Sequence, residues 1–230
     1  MSKKKICYLL PGVGLDEKEQ LRRGKTLNNI ASSDTHVVVE QIQDGPKSIE
    51  NALDEYKAMP HILDFICNRQ KDFDSFIIGC AGDSGLEGAR EQSKKPVIGP
   101  GESSLLLGVC GGKKFSMITI SDDRARIKRR LVREAGIDES RLVSSHSLNI
   151  PVLDLYLDQN RTQEKLVKIM EEAQMKGAET VLLGCMSVAF MTPERLESVT
   201  KITKMPIVNP IVTAVKMAEA QIAMQYFNSF

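Results

Sequence analysis

Two cysteines occupy matching places in the chain, each directly after a glycine that ends a short apolar run. The run 76–78 leads into Gly79-Cys80, and the run 181–183 leads into Gly184-Cys185. The runs are β-prone and have no polar face, so they predict buried strands. Each thiol therefore lies where a strand hands over to a helix, and unpaired backbone N–H groups there favour an anion. A thiolate stabilised in this way is reactive and can accept or return a proton.

The three other cysteines have a simpler interpretation. Cys7, Cys67 and Cys110 lie within apolar patterns or beside glycines, which predicts buried small hydrophobic side chains. The five cysteines form an odd set without a C-x-x-C pair, and the three histidines are scattered. We therefore expect neither a disulfide framework nor a metal site.

Charge and hydropathy exclude several classes of partner. The 230 residues carry 31 Lys and Arg against 30 Asp and Glu, so no global charge attracts nucleic acid. The apolar run 6–10 is too short for a signal peptide, and no segment approaches the roughly 18 apolar residues of a membrane span. We expect a cytoplasmic protein with a small-molecule substrate and no nucleic-acid or membrane partner.

Elements that could position the two thiols alternate regularly along the chain. Apolar, β-branched runs alternate with amphipathic helical patterns, which is typical of a mostly parallel sheet with helices on both faces. The predicted strands are 6–10, 36–40, 76–78 and 96–100 in the first half, and 115–120, 141–143, 181–183 and 206–210 in the second.

The two halves repeat one pattern. Cys185 follows Cys80 by 105 residues, Pro206 follows Pro96 by 110, and a Pro-apolar-apolar-x-Pro segment occurs in both halves. This predicts a duplicated four-stranded α/β unit, with a first domain of residues 1–105 plus 211–230 and a second of 106–210. If the halves face one another, the two thiols line one cleft and can serve opposite faces of a carbon atom without a cofactor. Inversion of an acidic stereocentre is such a reaction.

Four segments together carry a family resemblance: Gly79–Leu86, Pro96–Gly99, Leu183–Cys185 and Pro206–Pro210. They resemble the aspartate/glutamate/hydantoin racemase superfamily and, within it, the hydantoin racemases. The resemblance implies two Rossmann-like lobes related by pseudo-twofold symmetry, with the active site between them. It also implies catalysis without pyridoxal phosphate or any other cofactor, assembly into a homo-oligomer, and Cys80 and Cys185 as the acid–base pair.

Substrate contacts are expected beside each thiol. Removing a carbon-bound proton creates an enolate-like anion, which preorganised N–H and O–H donors stabilise. The candidates are Ala81, Gly82 and Asp83 after Cys80, Gly184, Met186 and Ser187 around Cys185, and Ser121 after the strand 115–120, with Thr119 near the end of that strand as a weaker candidate. Asp83 either anchors its own turn or orients Cys80. Glu102 has either a structural role or a role in the site.

The turn after the first strand departs from the family pattern. Hydantoin racemases usually carry a Pro-Asn-Thr-type turn there, whereas this chain has Pro11-Gly12-Val13-Gly14. Pro11 and Gly12 thus remain candidate contacts only through the backbone. The expected activity is racemisation of a 5-substituted hydantoin or a related cyclic ureide such as allantoin. An aspartate/glutamate-type racemase or maleate-type isomerase is the alternative, and a non-catalytic nucleotide- or small-ligand-binding protein is a third hypothesis.

Two other features have competing interpretations. Gly12-x-Gly14 imitates a dinucleotide-binding fingerprint, but Glu17 stands where the third glycine would be and would repel a pyrophosphate. A basic helix follows Ser121, and its spacing favours a solvated face over nucleic-acid binding. Arg124, near the strand end, could instead attract an anionic substrate. The helix carries Arg124, Arg126, Lys128, Arg129, Arg130 and Arg133.

Overall fold

Two parallel four-stranded sheets form the centre of the structure, a computed structural model that describes residues 3–110 and 113–226. The first sheet has the order β2-β1-β3-β4 and the second the order β6-β5-β7-β8. All pairings are parallel, so the carboxyl ends of neighbouring strands meet at one edge of each sheet. The α/β fold class with two such sheets is confirmed. The strands are β1 Lys4–Leu10, β2 Thr35–Gln41, β3 Ser75–Ile78, β4 Val97–Ile98, β5 Phe115–Thr119, β6 Leu142–Ser147, β7 Thr180–Leu183 and β8 Ile207–Val208.

Helices connect the strands. Several begin at the polar caps that the sequence offers, such as Asp16, whose side chain accepts the Glu19 N–H. The helices are α1 Glu17–Ile30, α2 Ala52–Arg69, α3 Leu86–Gln92, α4 Pro100–Cys110, α5 Asp122–Arg126, α6 Lys128–Glu134, α7 Asp154–Leu157, α8 Gln159–Met175, α9 Met186–Ala189, α10 Pro193–Thr203 and α11 Pro210–Ala223. A short 3-10 turn, Glu139–Arg141, precedes β6.

The chain divides into two compact units. Unit 1 contains Met1–Ser103 and Ile211–Phe230, and unit 2 contains Ser104–Pro210. Each unit has its own apolar core, built around Phe76 and Ile78 in unit 1 and around Phe115 and Leu182 in unit 2. Burial of such side chains is the main source of stability in each unit.

The last helix, α11, is tied to the rest of unit 1 by a carboxylate. Glu219 accepts the Ser32 N–H at 2.6 Å and the Ser32 hydroxyl at 3.0 Å, and it pairs with Lys216 at 2.8 Å. Ser32 lies directly beyond α1, so these bonds hold α11 to the end of that helix.

The burial of the three remaining cysteines corrects one prediction. Cys7 is fully buried in β1, as expected, and burial is the first reason that the pKa of its thiol is raised well above the usual value. Cys67 and Cys110 are exposed, so the prediction that they are buried was wrong. Cys67 follows Ile66, a member of the buried stripe of α2, and one residue further along a helix points to a different face.

Candidate active site

Cys80 follows Gly79, the first residue beyond β3, and only glycine fits at that preceding position. The Gly79 N–H continues the parallel ladder by donating to the Leu9 carbonyl oxygen at 2.8 Å. A Cβ on Gly79 would lie 2.7 Å from that same oxygen, which no real side chain tolerates. The glycine before the cysteine is therefore required by close backbone packing, and it carries the thiol to the carboxyl edge of the sheet.

The Cys80 sulfur is surrounded by hydrogen-bond donors from its own turn. The Gly82 nitrogen lies 3.4 Å from Sγ and the Ser84 hydroxyl oxygen lies 3.5 Å from it. Donors aimed at sulfur favour the thiolate over the thiol. Gly82 is thus placed beside the thiol, as the sequence indicated. Ser84, which is buried, was missed, although its place four residues after Cys80 in a tight turn was a usable signal.

Asp83 joins its own turn to the start of α4 through its carboxylate. Its two carboxylate oxygens accept the N–H groups of Gly101 at 2.8 Å and Glu102 at 2.7 Å, the first turn of α4. A Cβ on Gly101 would lie 2.5 Å from the Ala81 carbonyl oxygen. The Cys80 turn and the start of α4 are therefore packed backbone against backbone, and Asp83 holds them with charge-assisted bonds.

The Glu102 side chain has a structural partner. Its carboxylate pairs with the Arg90 guanidinium, whose Nη1 lies 3.2 Å from Oε1, and Arg90 Nε also donates to the Val97 carbonyl oxygen at 3.1 Å. This pair ties α3, β4 and α4 together. Of the two roles that the sequence left open for Glu102, the observed contacts are structural.

Cys185 lies in the equivalent place in unit 2. The Gly184 N–H donates to the Ile118 carbonyl oxygen at 2.6 Å, just as Gly79 donates to Leu9. Cys185 then begins α9, and its carbonyl oxygen accepts the Ala189 N–H at 3.2 Å. Met186 and Ser187, the first residues of α9, are buried beside it, and Cys185 itself is 7 % exposed.

The short helix α9 is held at its far end by an amide. The Asn209 side-chain nitrogen, just beyond β8, donates to the Ala189 carbonyl oxygen at 3.0 Å. Asn209 lies in the Pro206–Pro210 segment that carries the family resemblance, but the sequence did not predict a role for it in the site. It joins the second proline segment to the Cys185 turn.

Thr119 is the last residue of β5 and Ser121 lies just beyond it, at the same edge as Gly184, because Ile118 of β5 pairs with Leu183 of β7. Thr119 is buried, and its carbonyl oxygen accepts the Leu148 N–H at 2.8 Å. The Ser121 hydroxyl oxygen accepts the Arg124 N–H at 3.4 Å as the N-cap of α5. A capping hydroxyl still has its own hydrogen to donate, so Ser121 can cap and bind at once.

Two backbone N–H groups of the Pro11–Gly14 turn bind a neighbouring loop. The Val13 N–H donates to the Pro46 carbonyl oxygen and the Gly14 N–H donates to that of Lys47, both at 2.9 Å. The N–H groups of Val13 and Gly14 are therefore not available to a substrate, contrary to the expectation for this turn. Proline has no N–H, so Gly12 is the remaining candidate donor, at the carboxyl end of β1 beside β3.

In the described ranges 3–110 and 113–226, no three or more His, Cys, Asp or Glu side chains gather in a way that would hold a metal ion. Within the same ranges, no helix combines the length and the apolar character that crossing a bilayer requires.

Residues 24–218 match the family model described as Asp/Glu/Hydantoin racemase. The chain belongs to this family. A hydantoin racemase from Rhizobium meliloti is 34 % identical over 85 % of this chain and 80 % of the relative. Another from a Pseudomonas species is 34 % identical over 82 % of this chain and 75 % of the relative. The family resemblance inferred from the two Gly-Cys segments and the two proline segments is confirmed.

Solved structures of the racemase family have the same fold. An allantoin racemase from Klebsiella pneumoniae superposes with a TM-score of 0.84 at 26 % identity, covering 99 % of this chain and 91 % of that one. An allantoin racemase from Pseudomonas fluorescens has a TM-score of 0.87 at 23 % identity over 98 % and 93 % of the two chains. At that lower identity the likeness shows the fold alone.

Proposed function

We propose that this chain is a cofactor-independent racemase that inverts the acidic C5 stereocentre of a 5-substituted hydantoin or a related cyclic ureide, with Cys80 and Cys185 as its two acid–base groups. One observation carries the proposal. Each cysteine follows a glycine at the carboxyl end of the third strand in its sheet, with the same backbone bond to the neighbouring strand. Two thiols that follow the same backbone arrangement suit racemisation, in which either enantiomer can be the substrate and the two thiols exchange roles.

The reaction begins with one cysteine as thiolate and the other as thiol. The thiolate removes the C5 proton, so an S–H bond forms as the C–H bond breaks. The electron pair moves into the adjacent C4 carbonyl and gives an enolate. The second thiol then returns a proton to the opposite face of C5, which leaves the product inverted and the protonation of the two sulfurs exchanged.

The enolate oxygen needs donors that are in place before the proton moves. In this proposal the Ala81 N–H, the N–H groups of Met186 and Ser187 at the start of α9, and the Ser121 hydroxyl supply them. The Gly82 N–H already donates to the Cys80 sulfur and the Asp83 N–H to the Cys80 carbonyl oxygen, so these two residues shape the turn that presents Ala81 and the thiol. Gly12 and Thr119 complete the candidate set, and Gly184 gives the backbone the close approach that positions Cys185. These roles are proposals that rest on the positions of the residues at the strand ends.

The substrate class rests on the relatives. The two curated relatives at 34 % identity are both named hydantoin racemases, and the structural neighbour at 26 % identity is an allantoin racemase, whose named substrate also contains a hydantoin ring. The balanced charge fits a cytoplasmic enzyme of small molecules. Homo-oligomer formation stays a prediction, which gel filtration of the purified chain tests.

The test follows optical rotation and solvent deuterium in an enantiopure 5-substituted hydantoin. We expect rotation to decay to zero with deuterium entering C5. We expect Cys80→Ser and Cys185→Ser each to slow racemisation by about 10²–10⁴-fold, the usual worth of a general acid–base group. Cys67→Ser is the matched control, since it removes an exposed thiol and should leave the rate unchanged.

Two outcomes contradict the proposal. Near wild-type racemisation by either site variant overturns the two-base assignment. Turnover of aspartate or maleate without any turnover of hydantoins overturns the substrate class and favours the alternative isomerases.

A further inference from the structure

Two cations of the basic segment after β5 are buried. Arg124 is 8 % exposed and Lys128 is 1 % exposed, whereas Arg126 and Arg129 are exposed. A kink at Ile127 divides the predicted single helix into α5 and α6. Arg124 and Lys128 are four residues apart, and Val132, four residues further, is also buried. The solvated face that the sequence predicted thus holds for only part of the segment.

Lys128 reaches the backbone beside the second cysteine. Its Cε lies 3.6 Å from the position that a Cβ on Gly184 would take. Gly184 immediately precedes Cys185, and its N–H is bound to Ile118 of β5. The end of the lysine chain, which carries the ammonium group, is therefore packed against the turn that presents the Cys185 thiol.

The other charged groups of this segment are placed differently. Asp122 and Asp123 are exposed, and each has partners: Asp122 accepts from Ser147 and from Asn149, and Asp123 pairs with Arg126 at 3.3 Å. On the neighbouring strand β6, His146 lies near Ser144 and Glu172, and burial is the first reason that its pKa is lowered. The buried charges of this segment are thus the two cations, Arg124 and Lys128.

A cation close to a thiol favours the thiolate, while burial of the thiol favours the neutral form. Cys185 is almost fully buried, and burial alone would keep it as the neutral thiol, which cannot accept a proton from carbon. We propose that Lys128 is a positioning residue that stabilises the thiolate of Cys185. The expected effect of Lys128 on the racemisation rate rests on the proposed function, whereas its expected effect on the ionisation of the Cys185 thiol does not.

The test measures alkylation of each cysteine by iodoacetamide in the intact chain, as a function of pH, with peptide-resolved mass spectrometry. In Lys128→Met we expect the alkylation rate of Cys185 at neutral pH to fall about tenfold, as for a pKa raised by about one unit. Lys128→Arg keeps the charge and should restore most of the rate. Cys80 in the same sample is the internal reference and should change by less than about twofold.

Arg129→Met is the matched control, because it removes the same charge one residue away on the exposed side. It should leave the pH profile of Cys185 unchanged. An unchanged Cys185 profile in folded Lys128→Met, or an equal shift in Arg129→Met, overturns the proposal.

A measurement on the wild-type chain decides the question even if Lys128→Met does not fold. An alkylation midpoint for Cys185 clearly below the free-thiol value of about 8.5 supports the proposal, and a midpoint at or above it overturns the proposal. Neither experiment uses racemase activity. A chain that fails to racemise hydantoins but shows the Lys128 effect would contradict the proposed function alone.

Discussion

The turn after β3 is held by a carboxylate, whereas the turn after β7 opens a short helix that is held by an amide. Asp83 binds two N–H groups of α4, and the Cys80 sulfur is met by two neutral donors, Gly82 and Ser84. In unit 2, Asn209 binds the last residue of α9, and Lys128 packs against the glycine before Cys185.

The difference shows how duplicated units diverge around a shared geometry. The backbone bond from the glycine to the neighbouring strand is the same in both, since any side chain at Gly79 would collide with that strand. The groups packed around the two turns differ: neutral donors at the Cys80 sulfur in unit 1, and in unit 2 a buried lysine beside Gly184, to which we assign the stabilisation of the second thiolate. The comparison can be tested one turn at a time, because each anchoring contact lies within its own unit.

Asp83→Ala should have the largest effect among the anchoring residues. It removes both carboxylate bonds to the start of α4, so we expect the free energy of unfolding to fall by about 2 kcal/mol. We also expect the Cys80 alkylation rate to change while that of Cys185 stays the same. Urea unfolding and peptide-resolved alkylation measure the two effects.

Asp83→Asn is the control for that variant. Asparagine tolerates the left-handed backbone that Asp83 adopts (φ 54°) and keeps one acceptor oxygen, so it should recover part of the lost stability. If Asp83→Ala is as stable as the wild type, the carboxylate does not anchor the first turn.

Asn209→Ala should have an intermediate effect, confined to unit 2. It removes one neutral hydrogen bond to the Ala189 carbonyl oxygen, so we expect a loss of about 1 kcal/mol in urea unfolding. Asn209→Asp has nearly the same size but no N–H to donate, and it should be no more stable than Asn209→Ala. A fully stable Asn209→Asp variant would show that the amide bond is not what holds α9.

Ser84→Ala should have the smallest effect and should act on the Cys80 thiol alone. Loss of the Ser84 hydroxyl removes one donor to the sulfur, so the thiolate is less favoured, and we expect alkylation of Cys80 at neutral pH to slow about threefold. Ser103→Ala is the matched control, since Ser103 is also buried but donates to the Gly99 carbonyl oxygen at 2.8 Å. An equal slowing in both variants would mean that packing, not the bond to sulfur, is responsible.

Local patterns predicted the strands that carry the site, because a buried parallel strand needs a continuous apolar run. The runs 76–78 and 181–183 became β3 and β7, each with one residue added at its start. The single helix predicted after Ser121 was wrong in detail. Its pattern of Arg124, Lys128 and Val132 at intervals of four was visible in the sequence, but charged residues at such positions ordinarily face solvent.

Contacts between distant residues were beyond the sequence. The bond from Gly101 to Asp83 joins residues 18 positions apart, and the Pro46 loop meets the Pro11–Gly14 turn across the ends of β1 and β2. Which carboxylate becomes an anchor, and which N–H group is already occupied, depends on how loops from different strands meet at one edge.

The amino-acid sequence by itself determined the two Gly-Cys turns and the parallel α/β order, because strand burial and glycine packing are local requirements. It also carried the family, since the motifs around both thiols are contiguous. Only the tertiary structure decided what packs around each Gly-Cys turn: Ser84 and the Asp83 anchor in unit 1, and buried Lys128 beside Gly184 in unit 2. Those environments arise where separate segments of the chain pack together. A basic side chain outside such a contact, such as that of the neighbouring Arg129, is exposed to water instead.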